Sequence, residues 1–200
     1  MSILFFDTET SDMSNFKQSF THSSQPHLVQ FGAIMTDDEG KDISRCNLLI
    51  KPSGWKIEEG AEKVHGISIE HCNRFGIPEL TMLSMFNSMV ESSDLIVCHN
   101  TQFDILIMQA LAFRLSKPDR LKGKDTLCTM KAYSDICKIR KPWKDPGDPY
   151  KWPKLQEVYM HIFDKNFENA HDALADVSAT KDIFFHLDED HKERFRKKIL

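Results

Sequence analysis

The start of the chain alternates between short apolar runs and polar stretches, a pattern typical of β-strands. Residues 3–7 form an apolar run that ends in a carboxylate and predicts a buried central strand, and residues 28–36 predict a second strand. The acidic segment 37–42 contains a glycine and indicates a turn, so residues 43–50 are expected to return as the next strand of a hairpin. Residues 11–27 are rich in Ser, Thr and Gln and indicate a long loop.

Apolar residues at helical spacing dominate the chain after Pro52. The predicted elements are helices over residues 58–64, 68–73, 79–91, 103–115, 155–163 and 173–187, and strands over 95–98 and near 126–127. Residues 141–153 contain four prolines and therefore predict neither a regular helix nor a central strand. Strands followed by alternating helices and strands indicate one mixed α/β domain over residues 1–200.

The composition is that of an ordinary globular protein, with 40% hydrophobic and 28% charged residues. No stretch approaches the length of a membrane span, and the N-terminus reaches the charge of Asp7 too early for a signal peptide. We therefore expect a cytoplasmic, intracellular protein with no membrane partner. The five cysteines contain no Cys-x-x-Cys pair, so reduced thiols are expected.

A formal net charge of −4 excludes a surface that is basic throughout, but two segments, 138–154 and 191–200, each carry a local net charge of +4. In the first segment, aromatic side chains interleave with Lys and Arg, as in surfaces that bind single strands. The predicted strand groove consists of Lys141, Trp143, Lys144 and Lys151. Alternatively, Trp143 or Trp152 anchors this loop onto the core. The second basic segment is expected to be a solvated helix end.

Four carboxylates stand beside apolar segments, where a charge is costly unless it is paired or binds a metal. Asp7 and Glu9 are two residues apart, so both side chains point to one face of a strand. Asp104 falls at the start of a predicted helix that follows a strand, and Asp176 falls within the last predicted helix. Taken singly, each has an ordinary alternative, such as a strand end in solvent or a helix-dipole contact. Together, four oxygen ligands indicate a site for Mg²⁺ or Mn²⁺.

His171 is the candidate base beside this cluster, since histidine titrates near neutral pH. It precedes Asp176 by five residues, which is about 140° around a helix axis, so it could join the site only from the preceding loop. Asp172 lies four residues before Asp176 on the same helical face and is a competing candidate for a ligand.

Three motifs resemble those of the DEDDh (DnaQ-like) 3′–5′ exonucleases, the superfamily of the DNA polymerase III epsilon subunit, exonuclease I and exonuclease X. They are Asp7-x-Glu9, His99-Asn100-x-x-Phe103-Asp104 and His171-x-Ala173-x-x-Asp176. The resemblance extends from about Leu4 to about Leu187 and implies an RNase H-like mixed sheet of five strands flanked by helices. Where many relatives carry Gly and Glu, this chain has Ser11 and Gln30.

The resemblance also implies roles for individual residues. Asp7, Glu9, Asp104 and Asp176 would bind two divalent cations, Mg²⁺ or Mn²⁺, and His171 would be the general base. The residues expected beside the terminal nucleotide are Thr10, His65 and Phe103.

The expected activity is metal-dependent 3′–5′ hydrolysis of DNA, as single strands or frayed 3′ ends, to nucleoside 5′-monophosphates by a two-metal mechanism. Such an activity serves proofreading, repair or DNA degradation, with a polymerase or repair protein as a candidate partner. The first alternative is a 3′–5′ exoribonuclease of the oligoribonuclease or RNase T type, and the second is an inactive nucleic-acid-binding subunit. No tethering extension of the epsilon kind is expected after the last predicted helix.

Overall fold

A mixed β-sheet forms the centre of the computed structural model, which describes residues 1–142, 147 and 149–199. Within these residues the sheet has six strands in the order β3-β2-β1-β4-β5-β6. The strands are β1 (Ile3–Thr10), β2 (Leu28–Thr36), β3 (Asp42–Leu49), β4 (Leu95–Cys98), β5 (Asp125–Cys128) and β6 (Arg196–Lys198). Strands β1, β4 and β5 run parallel to one another, whereas the pairs β1–β2, β2–β3 and β5–β6 are antiparallel.

Helices cover both faces of this sheet. Those before β5 are α1 (Glu59–His65), α2 (Ile69–Phe75), α3 (Glu79–Ser92) and α4 (Thr101–Arg114). Those after β5 are α5 (Thr129–Ala132), α6 (Ser134–Cys137), α7 (Leu155–Phe163), α8 (Ala173–Phe185) and α9 (Glu189–Phe195). In the described part of the chain, none of these helices has the length and apolar character needed to span a membrane.

Strand β1 is buried on both faces, because its side chains alternate between two apolar cores. Leu4 and Phe6 pack in the core that contains α3 and α4, where the Phe6 ring lies 5.1 Å from the ring of Phe86. Phe5 packs in the opposite core with α7 and α8, at 5.3 Å from the ring of Phe184. The last residues of β1 therefore emerge between α4 and α8.

The structure has one strand more than the five predicted. The basic C-terminal segment is a helix end only as far as Phe195, after which Arg196–Lys198 pairs with the edge of β5. The carboxylate of Asp125 on β5 accepts ion pairs from Arg196 at 2.7 Å and from Lys198 at 3.1 Å. Opposite charges and an open backbone edge explain why this charged tripeptide forms a strand.

Segment 11–27 is a loop, as predicted, and it is closed at its base by Ser11. The Ser11 backbone N–H donates to the His27 carbonyl at 2.9 Å, and the Ser11 hydroxyl accepts from the His27 N–H at 2.9 Å. Arg114, at the end of α4, donates to the carbonyls of Gln25 and Pro26. The serine that replaces the glycine of many relatives thus ties together the two ends of the loop.

Candidate active site

The first two carboxylates project from the end of β1. The parallel pairing with β4 ends at Phe5 opposite Val97, so Asp7 and Glu9 lie beyond the last paired residue of β4. Both are partly buried and face the side of the sheet that α8 covers. The strand continues past its neighbour, which leaves these two side chains at the edge of an opening.

Asp104 approaches from the other side, in the first turn of α4. Its side chain is 1% exposed, and the Thr8 hydroxyl donates to Asp104 Oδ1 at 2.8 Å. The second oxygen, Oδ2, is buried and has no hydrogen-bond partner among the described residues. A buried carboxylate oxygen without a donor is costly, so this oxygen is suited to a ligand that the protein atoms do not supply.

Asp176 and His171 come from the start of α8. His171 lies in the loop just before the helix, with a φ of +70°, so it can reach the face that a helical residue at this spacing could not. Its backbone N–H donates to Asp176 Oδ1 at 3.3 Å. Glu9, His171 and Asp176 each offer a ligand atom, and the three atoms lie within 4.8 Å of one another.

The carboxylates repel one another in a site that water reaches poorly. Burial, followed by repulsion from Asp176 and then Asp104, raises the pKa of Glu9 to about 8. Burial raises the pKa of Asp104 to about 8 against the stabilising Thr8 hydrogen bond, and it raises the pKa of Asp176 to about 6. Burial also holds the pKa of Asp7 well above its ordinary value, with Asp104, Asp176 and Glu9 adding to the shift.

Such a cluster fits divalent cations. Hard oxygen donors suit Mg²⁺ and Mn²⁺, and positive charge at the cluster would relieve the repulsion that raises these pKa values. The orphaned Asp104 Oδ2 and the converging carboxylate oxygens of Glu9 and Asp176 provide places for such ligation.

Asp172, the competing candidate for a ligand, lies near the cluster and has protein donors at both carboxylate oxygens. It is the N-cap of α8, where its carboxylate accepts from the Ala175 N–H at 3.1 Å. The same carboxylate also accepts from Gln30 at 3.0 Å and from Asn47 at 3.0 Å. These donors occupy its oxygens, and the helical cap, rather than the face shared with Asp176, determines its direction.

A cavity of about 460 Å³ opens beside the cluster. Its wall includes Glu9 together with Thr10, His65 and Phe103, the three residues expected at the terminal nucleotide. His65 Nδ1 accepts the Ile67 N–H at 3.0 Å, so the ring hydrogen is on Nε2, which is buried and directed at the backbone of Thr10. Burial lowers the pKa of His65, which favours this neutral form.

Sequence reasoning missed two kinds of residue at this site. Met13, from the loop after β1, and Val64 of α1 also line the cavity, and nothing in their local pattern distinguishes them from other exposed apolar residues. Thr8 orients Asp104, and its position between Asp7 and Glu9 was the available signal, since it points to the opposite face of the strand.

The predicted strand groove is only partly described. Trp143 and Lys144 lie outside the described residues. The Lys141 N–H donates to the Pro149 carbonyl at 2.8 Å, and the Lys151 N–H donates to the Ile139 carbonyl at 2.9 Å, so the two arms of the segment run together. The Lys151 ammonium, predicted to contact a phosphate of the strand, forms an ion pair with Glu157 at 2.5 Å.

Trp152 and His99 define where the proline-rich segment lies. The Trp152 side chain is 60% exposed and therefore does not anchor the loop in the core. His99, at the end of β4, contacts the Pro153 carbonyl through Nε2 at 3.1 Å and the Thr129 hydroxyl through Nδ1 at 3.0 Å. Burial lowers the pKa of His99 to about 4, so this neutral ring fastens the end of the segment beside the start of α4.

Comparison with known proteins agrees with this architecture. The sequence model of the RNase_T family, described as exonuclease, matches residues 4–184. Escherichia coli exonuclease I in complex with a dT13 oligonucleotide superposes with a TM-score of 0.76 at 21% identity, over 97% of this chain and 42% of that one. The zinc-bound form of the E. coli exonuclease I–single-stranded DNA complex gives 0.71 at 22% identity, over 92% and 39%.

A product-bound structure of exonuclease I gives a TM-score of 0.73 at 20% identity, over 97% of this chain and 44% of that one. This chain thus spans about two-fifths of the length of the solved chains it resembles. No curated protein matches it by sequence.

The likeness to the solved exonuclease I structures confirms the predicted RNase H-like α/β fold, with six strands among the described residues. Because the family model matches most of its length, the chain belongs to the exonuclease family.

Proposed function

We propose that this protein is a 3′–5′ exonuclease that shortens single-stranded DNA or frayed 3′ ends and releases nucleoside 5′-monophosphates. The observation that carries the proposal is the convergence of four carboxylates and one histidine, from three separate parts of the chain, beside a single cavity. The DNA-bound and product-bound structures of exonuclease I, which have the same fold, support DNA as the substrate.

Asp7, Glu9, Asp104 and Asp176 would hold two divalent cations, Mg²⁺ or Mn²⁺. When bound, such cations activate the attacking water and stabilise the charge that develops on the leaving 3′ oxygen. The carboxylates fix the positions of these charges, and the Thr8 hydroxyl holds Asp104 at one oxygen while leaving the other available.

His171 acts as the general base in this proposal. Its side chain is exposed at the mouth of the site, within reach of Glu9 and Asp176, and it can accept the proton of the attacking water on a ring nitrogen. Because its side chain is exposed, it can pass that proton to solvent.

The terminal nucleotide would occupy the cavity beside Glu9. Phe103 and Val64 supply apolar surface for the base, and His65 lines the wall beside them. Thr10, at the end of β1, lines the same wall. The volume of about 460 Å³ falls within the usual range for small-ligand sites, about 300–1,000 Å³.

The exposed Trp152 would stack on a base of the incoming strand, upstream of the cavity. The Lys131 ammonium lies 6.0 Å from its ring, and His99 fixes the neighbouring residue, Pro153, close to the site. Replacing Trp152 with Ala should raise KM for a single-stranded oligonucleotide about 5- to 100-fold at little cost in kcat, as expected for loss of one stacked base. An unchanged KM would place the segment away from the substrate path.

The proposed reaction can be tested with oligonucleotides labelled at the 5′ end, as matched DNA and RNA strands, in Mg²⁺, Mn²⁺ or EDTA. The expected result is a metal-dependent ladder that shortens from the 3′ end, with DNA degraded faster than RNA. A preference for RNA would indicate the exoribonuclease alternative. The absence of cleavage with either strand, using folded protein and added metal, would contradict the proposal and favour a binding subunit.

A further inference from the structure

We propose that Gln30 and Asn47 are positioning residues of the active site, which act by holding the carboxylate of Asp172 at the start of α8. This inference deepens the proposed function and rests on it, since it concerns the same site. Neither residue belongs to the carboxylate cluster, and neither lines the cavity beside it. Their effect would be transmitted through the backbone that carries His171 and Asp176.

Gln30 binds two consecutive residues with the two ends of its amide. Its side chain is 6% exposed, in strand β2 opposite Glu9. The Gln30 Nε2 donates to Asp172 Oδ2 at 3.0 Å, and the Gln30 Oε1 accepts the Ala173 N–H at 3.0 Å. One buried amide thus fixes both the N-cap side chain and the first residue of the helix.

Asn47 holds the same carboxylate from strand β3. Its Nδ2 donates to Asp172 Oδ2 at 3.0 Å and to Oδ1 at 3.3 Å. Asn47 is exposed, whereas Gln30 is buried, so the two amides approach Asp172 from the solvent side and from the core side. With the Ala175 N–H, three groups donate to this one carboxylate.

The backbone of Asp172 connects the two proposed catalytic groups, His171 in the preceding loop and Asp176 in the first turn of α8. The Asp176 N–H donates to the Asp172 carbonyl at 3.0 Å, and the His171 N–H donates to Asp176 Oδ1 at 3.3 Å. A movement of the Asp172–Ala173 peptide would therefore shift His171 and Asp176 together. Displacements of about 1 Å in a catalytic group can lower the rate about 100-fold.

The contacts of Gln30 and Asn47 with Asp172 require an N–H donor on the amide side and an acceptor at position 172, and exchanging these two roles tests the proposal. A carboxylate at position 172 can only accept hydrogen bonds, so position 30 must offer an N–H. Gln30→Glu keeps the shape but places two carboxylates together. Gln30→Glu combined with Asp172→Asn exchanges the roles, because the new asparagine can donate to Glu and still cap the helix through its oxygen, while the exposed Asn47 can turn its amide oxygen toward the new donor.

The expected kinetic result has two parts. Gln30→Glu should lower kcat about 10- to 100-fold and change KM less than about threefold, since the cavity that binds the nucleotide is not altered. The double variant should recover kcat to within about threefold of the unmodified protein. A Gln30→Glu variant with full kcat, or a double variant no better than the single one, would overturn the proposal.

Asn47 provides the same test at an exposed position, in case Gln30→Glu does not fold. Asn47→Asp should lower kcat with little change in KM, because it replaces a donor by a second carboxylate facing Asp172. The matched control is Ser44→Asp, an exposed residue on the same strand that adds the same charge on the opposite face. Equal loss of kcat in Ser44→Asp would mean that added charge on β3, and not the clamp, is responsible.

Hydrogen exchange of backbone amides separates this inference from the proposed function. In metal-free protein, the amides of Ala173 and Asp176 should exchange faster in Gln30→Glu or Asn47→Asp, and the Gln30→Glu variant should regain its protection when Asp172→Asn is added. Unchanged exchange in both single variants would contradict the clamp whatever the activity. If the exchange pattern holds but the unmodified protein cleaves no oligonucleotide, the clamp stands and only the proposed function fails.

Discussion

At the scale of single residues, the carboxylates of the site differ in how many of their oxygens accept a hydrogen bond from the protein. Asp104 has one oxygen held by Thr8 and one buried oxygen without a donor among the described residues. Asp172 is the opposite case, since both oxygens of its carboxylate accept hydrogen bonds from protein donors. Two aspartates four residues apart on the chain, Asp172 and Asp176, therefore have different roles, and helical spacing alone does not separate them.

Replacing His171 with Ala tests its proposed role as the general base. Loss of a general base should lower kcat about 10²- to 10⁴-fold, while Mn²⁺ binding should be nearly unchanged because the four carboxylates remain. The matched control is His161→Ala, an exposed histidine on α7. Steady-state kinetics and a Mn²⁺ titration on both variants provide the measurement, and a His171→Ala variant with normal kcat would require another base.

At the scale of elements, the start of α8 lies directly on β2 at Gly32. A Cβ atom added to Gly32 would be 2.4 Å from the Ala173 carbonyl carbon, closer than side chains and backbone can approach. The glycine is needed here for close packing, which lets α8 bring Asp176 and His171 to the end of β1.

Gly32→Ala should therefore destabilise the protein by about 1–3 kcal/mol, through overpacking against a backbone that cannot easily move. Urea unfolding gives the free energy directly. Gly60→Ala in α1 is the matched control for stability, since nothing lies within 4 Å of its added Cβ, and it should be neutral or stabilising. If the two variants unfold at the same urea concentration, α8 is not in the close contact described.

The strands differ in how well the local sequence predicts them. The apolar runs predicted β1, β2 and β4 correctly, because buried strands and polar turns leave strong local patterns. The charged strand β6 could not be predicted in this way, since only its partner Asp125, distant in sequence, makes it a strand. The DEDDh motifs indicated the carboxylates, but the Gln30–Asp172 contact joins residues 142 positions apart and left no local signal.

At the scale of the whole molecule, the clustered carboxylates at one end of the sheet repel one another in the metal-free protein, and this repulsion lowers its stability. A carboxyl whose pKa is raised by folding binds more protons in the folded than in the unfolded state, so the free energy of unfolding falls as pH rises. The pH range over which the free energy of unfolding falls extends from 4.5 to about 8 for Glu9 and from 3.8 to about 6 for Asp176, the ordinary and the raised pKa of each group. Divalent cations, which bind the charged forms, should act in the opposite direction.

Thermal unfolding in EDTA should therefore give a lower Tm at about pH 8 than at about pH 6, and saturating Mg²⁺ should remove most of this difference. Asp7→Asn should flatten the dependence, because it removes one of the repelling charges. Asp190→Asn, an exposed carboxylate on α9, should leave it unchanged. A Tm that rises between these two pH values in EDTA would contradict the stored repulsion.

The central claim is that Asp7, Glu9, Asp104 and Asp176 act as one divalent-cation site. Calorimetric titration of Mn²⁺ into the metal-free protein, into Asp7→Asn and into Asp190→Asn tests it most directly. Saturable binding is expected in the unmodified protein and in Asp190→Asn, and binding weakened at least about tenfold in Asp7→Asn, which lacks one charged ligand. Equal binding in all three proteins, or none in the unmodified one, would contradict it.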